Sequence, residues 1–415
     1  MSRRHPALSR SGSPILAAIV LLVGSVQAFL AARVVLRLIR TGSQPSLTAT
    51  ASDDVADDSV TVLVPVLNEA ERLGPCLAGL TAQGREVNAI LVLDGGSTDG
   101  TVDLARQHAR RDDRIRVMDA SPVPDDWNGK AWNLQYGLGR GAITTPWILT
   151  VDADVRPRPG LAARLVAHAA ANDVTVLSGA TRQRLSGPGE GLVHPALLTS
   201  LVYRYGIPGA ATSDPDDVQA NGQCMLIRRD ALETIGGFAD GRHSVCEDVT
   251  IARRLAIGGH RVGFAETGDL VEVAMYGSAG EAWANWPRSL TMRDQFAGHA
   301  VATRLAEVTF VQGLPLVIAL GTALLGRRHH YPSGSGAGIG SRHWGARRAV
   351  ELVIALNRGL VMLRIGVLVG MVRAYERPPV TYWLSPLLDA PVAVRLIQSA
   401  LRRTHTWRGR SISRS

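Results

Sequence analysis

The chain has 415 residues, 46% of them hydrophobic, and a formal net charge of +9, enough material for two or three structural units with a sizeable core. The charge is split: residues 59–300 carry 23 Lys and Arg against 28 Asp and Glu, and residues 301–415 carry 16 Arg against 4 Asp and Glu. That split argues against nucleic acid as a partner, because the soluble-looking part is acidic and the basic excess lies beside apolar segments, which suits anionic lipid head groups.

Residues 15–32 form an apolar run broken only by Gly24, Ser25 and Gln27, with arginines on both sides. Its length suits a membrane span. A signal peptide is the competing reading, but no clear small-residue cleavage site follows, so residues 1–40 read as an uncleaved anchor. Residues 41–58 are small and polar and read as a linker.

From residue 59 the texture changes. Residues 60–66 are a β-branched strand, and a helix runs from Asn68-Glu69 to about residue 82. A strand at 89–93 ends in Asp94-Gly95-Gly96-Ser97-Thr98-Asp99-Gly100. A helix carrying Val102, Leu104 and Ala105 follows, then a strand at 115–118 and a helix at 130–139. The strand holding Ile148 to Val151 runs into Asp152-Ala153-Asp154, and Pro157 and Pro159 forbid its continuation. Strands and helices alternating at this spacing predict βαβ units and a mostly parallel sheet. No GxGxxG follows the first strand, which weighs against a dinucleotide oxidoreductase. Cys76, Cys224 and Cys246 show no CxxC spacing and predict buried thiols in a reducing compartment.

Beyond residue 161 the alternation loosens, with strands expected at 174–177 and near 223–227 and a helix at 248–256. Trp283, Trp286 and Leu290 fall at i, i+3 and i+7, which fits a helix in the head-group layer or an ordinary core face. Residues 308–326 and 349–371 are two further apolar segments. The second contains Arg358 and Arg364, costly at mid-bilayer unless paired, facing a cavity or snorkelling. The connecting loop holds Arg327, Arg328, Arg342, Arg347 and Arg348, against the positive-inside tendency if both segments span fully and the preceding domain is cytoplasmic; one segment is a candidate for re-entry. Leu387, Ala390, Val394, Ile397 and Leu401 share one face, with Arg395, Arg402 and Arg403 elsewhere, which reads as a basic amphipathic interfacial helix.

Chemistry concentrates at a few positions. Asp152 and Asp154 end a buried strand, where open α/β sheets bind ligands, and such hard oxygen donors suit Mg²⁺ or Mn²⁺ shared with a substrate phosphate. A solvated Asx turn explains a lone pair of this kind equally simply. Asp248 opens a helix, where the dipole alone favours an anion and where a proton acceptor is also well placed. Lys130 is the single lysine among 45 basic residues; a compact charge at a helix N-terminus suits a diphosphate.

Four stretches, VPVLNEAERL, LDGGSTDGT, VDADV and CEDVTIARRL, occur in that order over residues 60–250. Together they resemble the family 2 glycosyltransferases, nucleotide-sugar-dependent enzymes with a GT-A fold, and the resemblance covers roughly residues 60–273. It implies an α/β GT-A domain over 59–275, followed by an interfacial helix at 276–300, transmembrane or re-entrant helices at 301–373 and the basic tail at 374–415. It implies that Pro65, Asn68, Glu69, Asp94, Asp99, Lys130 and Asp152 bind the nucleotide sugar, and that Asp154, with Asp152, holds a divalent Mg or Mn ion. Glu247-Asp248 matches the family's ED pair, with Asp248 as catalytic base. Where the family often shows two adjacent aspartates, this chain has Asp94-Gly95; a carboxylate there can accept the imide N–H of uracil, which favours a UDP-sugar. Arg288 and Arg293 occupy the region comparable to the family's interface helix, where the resemblance implies contact with the diphosphate or acceptor head and lipid-phosphate contact is the equal alternative. The Q-x-x-R-W signature of processive synthases is missing, which points to transfer of a single sugar.

The ending SPLLDAPVAVRLIQSALRRTHTWRGR resembles the tails of bacterial enzymes that glycosylate carotenoids or work beside hopanoid genes. The expectation is a multi-pass protein of the cell membrane with a cytoplasmic catalytic domain, moving one hexose to a hydroxyl of a membrane-lipid acceptor such as a carotenoid or other isoprenoid. A polyprenyl-phosphate sugar transferase or polysaccharide synthase is the alternative, and a non-catalytic nucleotide-sugar-binding membrane protein is a third reading.

Overall fold

The computed structural model describes residues 14–42, 47, 55–209, 211–290, 298–326, 341–402, 404–407 and 410–413. Arg293 and the 327–340 connection, with Arg327 and Arg328, lie outside the described residues, as do the side chains of Arg342, Arg347 and Arg403. A long helix, α1 (Pro14–Thr41), precedes the α/β part. There β1 (Val60–Val66), α2 (Ala70–Thr81), β2 (Val87–Asp94), α3 (Thr101–Ala109), β3 (Ile115–Asp119), α4 (Gly129–Arg140) and β4 (Trp147–Val151) alternate as the pattern predicts. Nearly every side chain of β1 and β2 is buried, which is what their predominantly β-branched and aliphatic sequences require of strands covered on both faces.

The sheet has eight strands in the order β3-β2-β1-β4-β9-β6-β10-β8. Its later members are β6 (Val176–Ala180), β8 (Ala211–Thr212), β9 (Cys224–Arg228) and β10 (Val262–Glu266). Only β9 and β8 run antiparallel to their neighbours. On one face, α2 and α5 (Leu161–Ala171) bury Leu73, Cys76, Leu77 and Leu165. The other face carries α4, α6 (Pro188–Tyr205), α8 (Glu247–Ile257), α9 (Ala279–Leu290) and the later α13 (Asp389–Leu401). Between β9 and α8 lies the short α7 (Arg229–Thr234). All three cysteines are buried free thiols.

Several elements depart from the sequence reading. The chain does not stop at Pro157: it turns at residues 152–154 and resumes as β5 (Val155–Pro157), which pairs antiparallel with β11 (Val271–Val273) in a small sheet completed by β7 (Arg182–Gln183). Pro157 is tolerated because β5 is an edge strand. Helix α6 has no counterpart in the sequence pattern. It contains Pro195 and is buried around almost its whole circumference, so it shows no amphipathic stripe. The Trp286–Leu290 face of α9 belongs to the core, Trp286 lying 4.2 Å centroid to centroid from the buried His194 ring, rather than in a head-group layer. The 41–58 stretch is not a free tether throughout, since Leu47 is buried and its N–H donates to Glu266 O at 2.7 Å.

Among the described residues, three helices are long and apolar enough to cross a membrane: Ala18–Thr41, Gly298–Leu324 and Arg348–Ala374. The second takes in α10 (Gly298–Glu307), a π-turn at Val308–Gly313 and most of α11 (Leu314–Gly326); the third covers the greater part of α12 (Ser341–Met371) and the 3-10 turn Val372–Ala374. Polar side chains tie them together. Gln27 and Asn357 exchange amide hydrogen bonds at 2.9 and 3.0 Å, and the fully buried Glu307 accepts from Arg33 and Arg37 at 2.9 Å each. Arg364, inside the third candidate span, donates to Asp389 at 2.8 Å, and Gln312 donates to the same carboxylate at 2.9 Å. Asp389 is thus the partner that the arginine requires.

The tail differs from a one-faced interfacial helix. A 3-10 segment, Val380–Leu388, leads into α13, which buries Val392, Ala393 and Leu396 against the protein, while Leu387, Val394 and Leu401 stay exposed. It carries two apolar stripes, and the expected face is the outward one. The last residues form a hairpin of β12 (Thr404–Trp407) and β13 (Arg410–Ser413).

Truncating one partner of a buried ion pair costs about 3–5 kcal/mol, because the other charge is stranded. Asp389→Ala will therefore lower the detergent-solubilised protein's melting temperature sharply. Asp389→Leu combined with Arg364→Leu will recover most of that loss in the same melting assay.

Candidate active site

Strands β1, β2 and β4 are parallel, so their carboxyl ends, Val66, Asp94 and Val151, share one edge of the sheet. Because β9 runs antiparallel, with Cys224 opposite Val151, the loop before it reaches the same edge. Asp152 N–H donates to Gln223 O at 3.3 Å, fixing the start of the Asp152-Ala153-Asp154 turn against that loop. Opposite stand the N-termini of α4 and α8. Asn128 caps α4 by accepting from Lys130 N–H at 2.9 Å, and Glu247 and Asp248 occupy the first turn of α8, where the helix dipole favours anions.

Lys130 joins these parts. Its ammonium lies 2.7 Å from Asp152 Oδ1 and 2.9 Å from Glu247 Oε1, and donates to Gly222 O at 3.4 Å. An ammonium has three donors, and each has an acceptor here, so Lys130 ties the carboxylates of the site to one another. Burial opposes its charge, but Asp152, Glu247 and Asp248 outweigh that and hold its pKa well above the ordinary lysine value. Gly222 closes the arrangement, donating its N–H to Asp248 Oδ2 at 2.5 Å. A Cβ at Gly222 would meet Lys130 Nζ at 2.7 Å and Asp248 at 3.2 Å, so a side chain there would push the ammonium from its place between the carboxylates. Sequence reasoning missed this residue; the Asn221-Gly222 dipeptide before a strand signalled a turn and nothing more.

Burial, reinforced by the Glu247 charge, pushes the Asp248 carboxyl up to about 7 against the opposing pull of Lys130. Burial, then Asp152 and Glu69, push Asp154 up to about 7 as well. Asp152 is also raised by burial, although Lys130 pulls the other way.

One cavity of about 1590 Å³ is lined by Pro65, Asn68, Glu69, Asp99, Lys130, Asp152, Asp154, Glu247, Asp248 and Arg288, together with Gly222, Tyr276 and Trp286. Asn68, in the left-handed region at φ 56°, accepts from Thr98 N–H at 2.8 Å, and its own N–H donates to Ser97 Oγ at 2.9 Å. Asp99 accepts from the N–H groups of Ala70 and Thr101 at 3.1 Å each, and the Thr101 hydroxyl holds its pKa below the usual value. These two residues knit the loops after β1 and β2 while facing the cavity. Asp94 does not line it. Only 5% exposed, it accepts from the N–H groups of Gly96 and Ser97 at 3.1 Å and closes its own turn, as a carboxylate before two small residues readily does.

The residues present fit a divalent cation. Asp154 Oδ1 is buried without a hydrogen-bond partner, and its raised pKa marks a carboxylate in want of counter-charge. Among the described residues no group of three or more His, Cys, Asp or Glu forms a protein-only cage. An Mg²⁺-type ion needs only one or two carboxylates when substrate phosphates complete its shell.

Residues 61–236 match the family model described as Glycosyl transferase family 2. Curated relatives include the glycosyltransferase AglE of Haloferax volcanii, 25% identical over 211 residues (50% of this chain), and the succinoglycan biosynthesis protein ExoA of Rhizobium meliloti, 27% identical over 226 residues (53% of this chain). The chain spans less than two thirds of the length of these relatives, 64% in each case. Among solved structures, the mannosyltransferase PcManGT from Pyrobaculum calidifontis, in complex with GDP-Man and Mn²⁺, superposes with a TM-score of 0.50 at 21% identity, covering 91% of this chain and 99% of that one. A likeness at that identity is one of fold.

The raised carboxyls set a pH dependence of stability. A carboxyl whose pKa is higher folded than unfolded binds its proton more tightly in the native state, so this contribution falls as pH rises from about 4 towards 7. Asp248→Asn will accordingly melt higher than wild type at pH 8 in metal-free buffer, by about 2–4 °C per kcal/mol relieved. The difference will close at pH 4–5.

Proposed function

We propose that this chain, which carries a glycosyl transferase family 2 domain of GT-A fold over residues 61–236, moves a single hexose from a nucleotide sugar to a hydroxyl of a membrane lipid, with inversion. The observation that carries this reading is the meeting of Asp154, Asp152 and Asp248 in one cavity that also reaches the candidate membrane helices. The likeness to a mannosyltransferase in complex with GDP-Man and Mn²⁺ supports a nucleotide-sugar donor and a divalent ion, and leaves a GDP-sugar as open as the UDP-sugar favoured by the sequence. A carotenoid or other isoprenoid alcohol is the acceptor class suggested by the tail. The three apolar helices support a multi-pass protein, with the α/β domain on the cytoplasmic side where nucleotide sugars are made.

In this reading the acceptor hydroxyl gives its proton to Asp248 as its oxygen attacks C1 of the hexose. The C1–O bond to the diphosphate breaks, and the nucleoside diphosphate leaves with the bonding pair. Gly222 N–H fixes Asp248 Oδ2, so the base is aimed before the acceptor arrives. A carboxyl near pH 7 in affinity is well matched to taking a proton at neutral pH and releasing it afterwards. Asp154, with Asp152, would hold the divalent ion, whose charge when bound stabilises the leaving diphosphate. Glu247 and Lys130 act as positioning residues, keeping Asp152 and the α8 N-terminus in register. Arg288 is placed to meet the diphosphate or the acceptor head.

The first test compares total lipids, by mass spectrometry, from a deletion strain expressing wild type or Asp248→Asn. A lipid gaining one hexose mass with wild type alone is the expected outcome. Polymeric carbohydrate in its place would mean a synthase, and identical profiles would mean a protein that binds without turnover. In vitro, Asp248→Asn will lower kcat/KM by about 10²–10⁴. The wild-type profile will fall on the acid side of about pH 7, since the base must be ionised.

A further inference from the structure

The cavity is larger than one nucleotide sugar requires: about 1590 Å³ against the roughly 300–1,000 Å³ of ordinary ligand sites. Beyond the carboxylates it continues as an apolar arm between α1, α6 and α12, walled by Leu38, Leu201, Val202, Val367 and Met371. Two of those three helices are candidate membrane spans, so the arm is continuous with the catalytic edge at one end and lies among bilayer-crossing helices at the other. Gly366 and Gly370 of α12 both line it, and a Cβ at either would meet nothing within 4 Å. They leave the arm wide where any larger residue would narrow it.

The charge of the lining bears on the occupant. Ten acidic side chains against five basic ones face the cavity. Two of the basic ones are already engaged near its outer part: Arg182 with Asp269, and Arg373 with Glu266 at 3.8 Å. A phosphate monoester next to Asp248 and Glu247 would face a predominantly anionic wall, with the nearby Lys130 already engaged by Asp152 and Glu247. A neutral hydroxyl carries no such penalty.

We infer that the α1–α6–α12 arm seats the apolar chain of a neutral lipid alcohol, delivered from the bilayer, with its hydroxyl directed to Asp248. This rests on the reading of the site as a glycosyltransferase and narrows its acceptor to an uncharged lipid, setting polyprenyl phosphates aside.

The test uses full-length protein in phosphatidylcholine vesicles with two photoactivatable probes, a diazirine-bearing long-chain alcohol and the phosphate monoester of the same chain. Labelled residues are mapped by mass spectrometry. The alcohol is expected to label Leu201, Val202 and Val367, and the monoester to label them at least fivefold less. Gly370→Leu and, independently, Gly366→Leu are expected to cut alcohol labelling of the arm at least fivefold. Gly359→Leu, on the same helix with equally open space but outside the cavity, is expected to leave it unchanged. Labels confined to helix exteriors, labelling insensitive to both arm variants, or a monoester that labels as well as the alcohol would each overturn the inference. Labelling needs no turnover, so a wild type that seats the alcohol without consuming any nucleotide sugar would sink the transferase reading and leave the lipid seat standing.

Discussion

Lys130 holds two carboxylates from distant parts of the chain, Asp152 at the end of β4 and Glu247 at the start of α8, within 3 Å of one ammonium. Unit charges 4 Å apart near a protein surface interact by about 4 kcal/mol at an effective dielectric of 20. Without the lysine, the acids at this edge would repel one another on that scale. With it, Asp152 is turned to the loop before β9, Glu247 anchors its helix, and Gly222 is left just enough room to reach Asp248. A guanidinium would not substitute: it is planar, bulkier and presents a rigid fork, whereas three acceptors in different directions suit a compact ammonium. A chain with 44 arginines and one lysine has its lysine here.

The strands and helices up to Val151 were legible because each repeats a local rule. β1 and β2 are dominated by aliphatic and β-branched residues, and α4 falls where the strand–helix alternation calls for the next helix. The acidic ends of β4 and α8 stood out because carboxylates follow or open strongly patterned elements. What could not be read depends on partners far along the chain. Helix α6 is buried all round, and only the folded contacts explain its Pro195. Gly222 looks like a turn residue until Lys130 and Asp248 are set on either side of it. Asp94 shows the opposite case: its motif is plain in the sequence, while its carboxylate is spent on its own loop.

Helix α6 also explains how a sheet-based domain and a set of apolar helices form one body. One part of its surface belongs to the core against the sheet, through Ala196 and Leu197. Tyr203 packs with Leu30, Val34, Val311 and Leu360 of the long apolar helices. Arg304 adds a hydrogen bond to the Arg204 carbonyl at the end of α6 and an ion pair to Asp217 at 2.7 Å. The catalytic edge is therefore held at a set distance from the helices rather than suspended from them on a tether. For the proposed transfer to a lipid hydroxyl that constraint matters, because near-attack geometry tolerates only small displacements.

The Arg364–Asp389 pair has a bearing on biogenesis. Arg364 is synthesised before Asp389, which follows it by 25 residues, so on the proposed multi-pass reading α12 would enter the bilayer ahead of its counter-ion. An arginine at the centre of an inserting helix costs about 2.5–3.5 kcal/mol on insertion scales. That cost is offset only once the 3-10 segment and α13 have been made and have docked. On the proposed multi-pass reading, the C-terminal part compensates the charge of the last candidate span, and a nascent chain halted before residue 389 would carry that charge uncompensated.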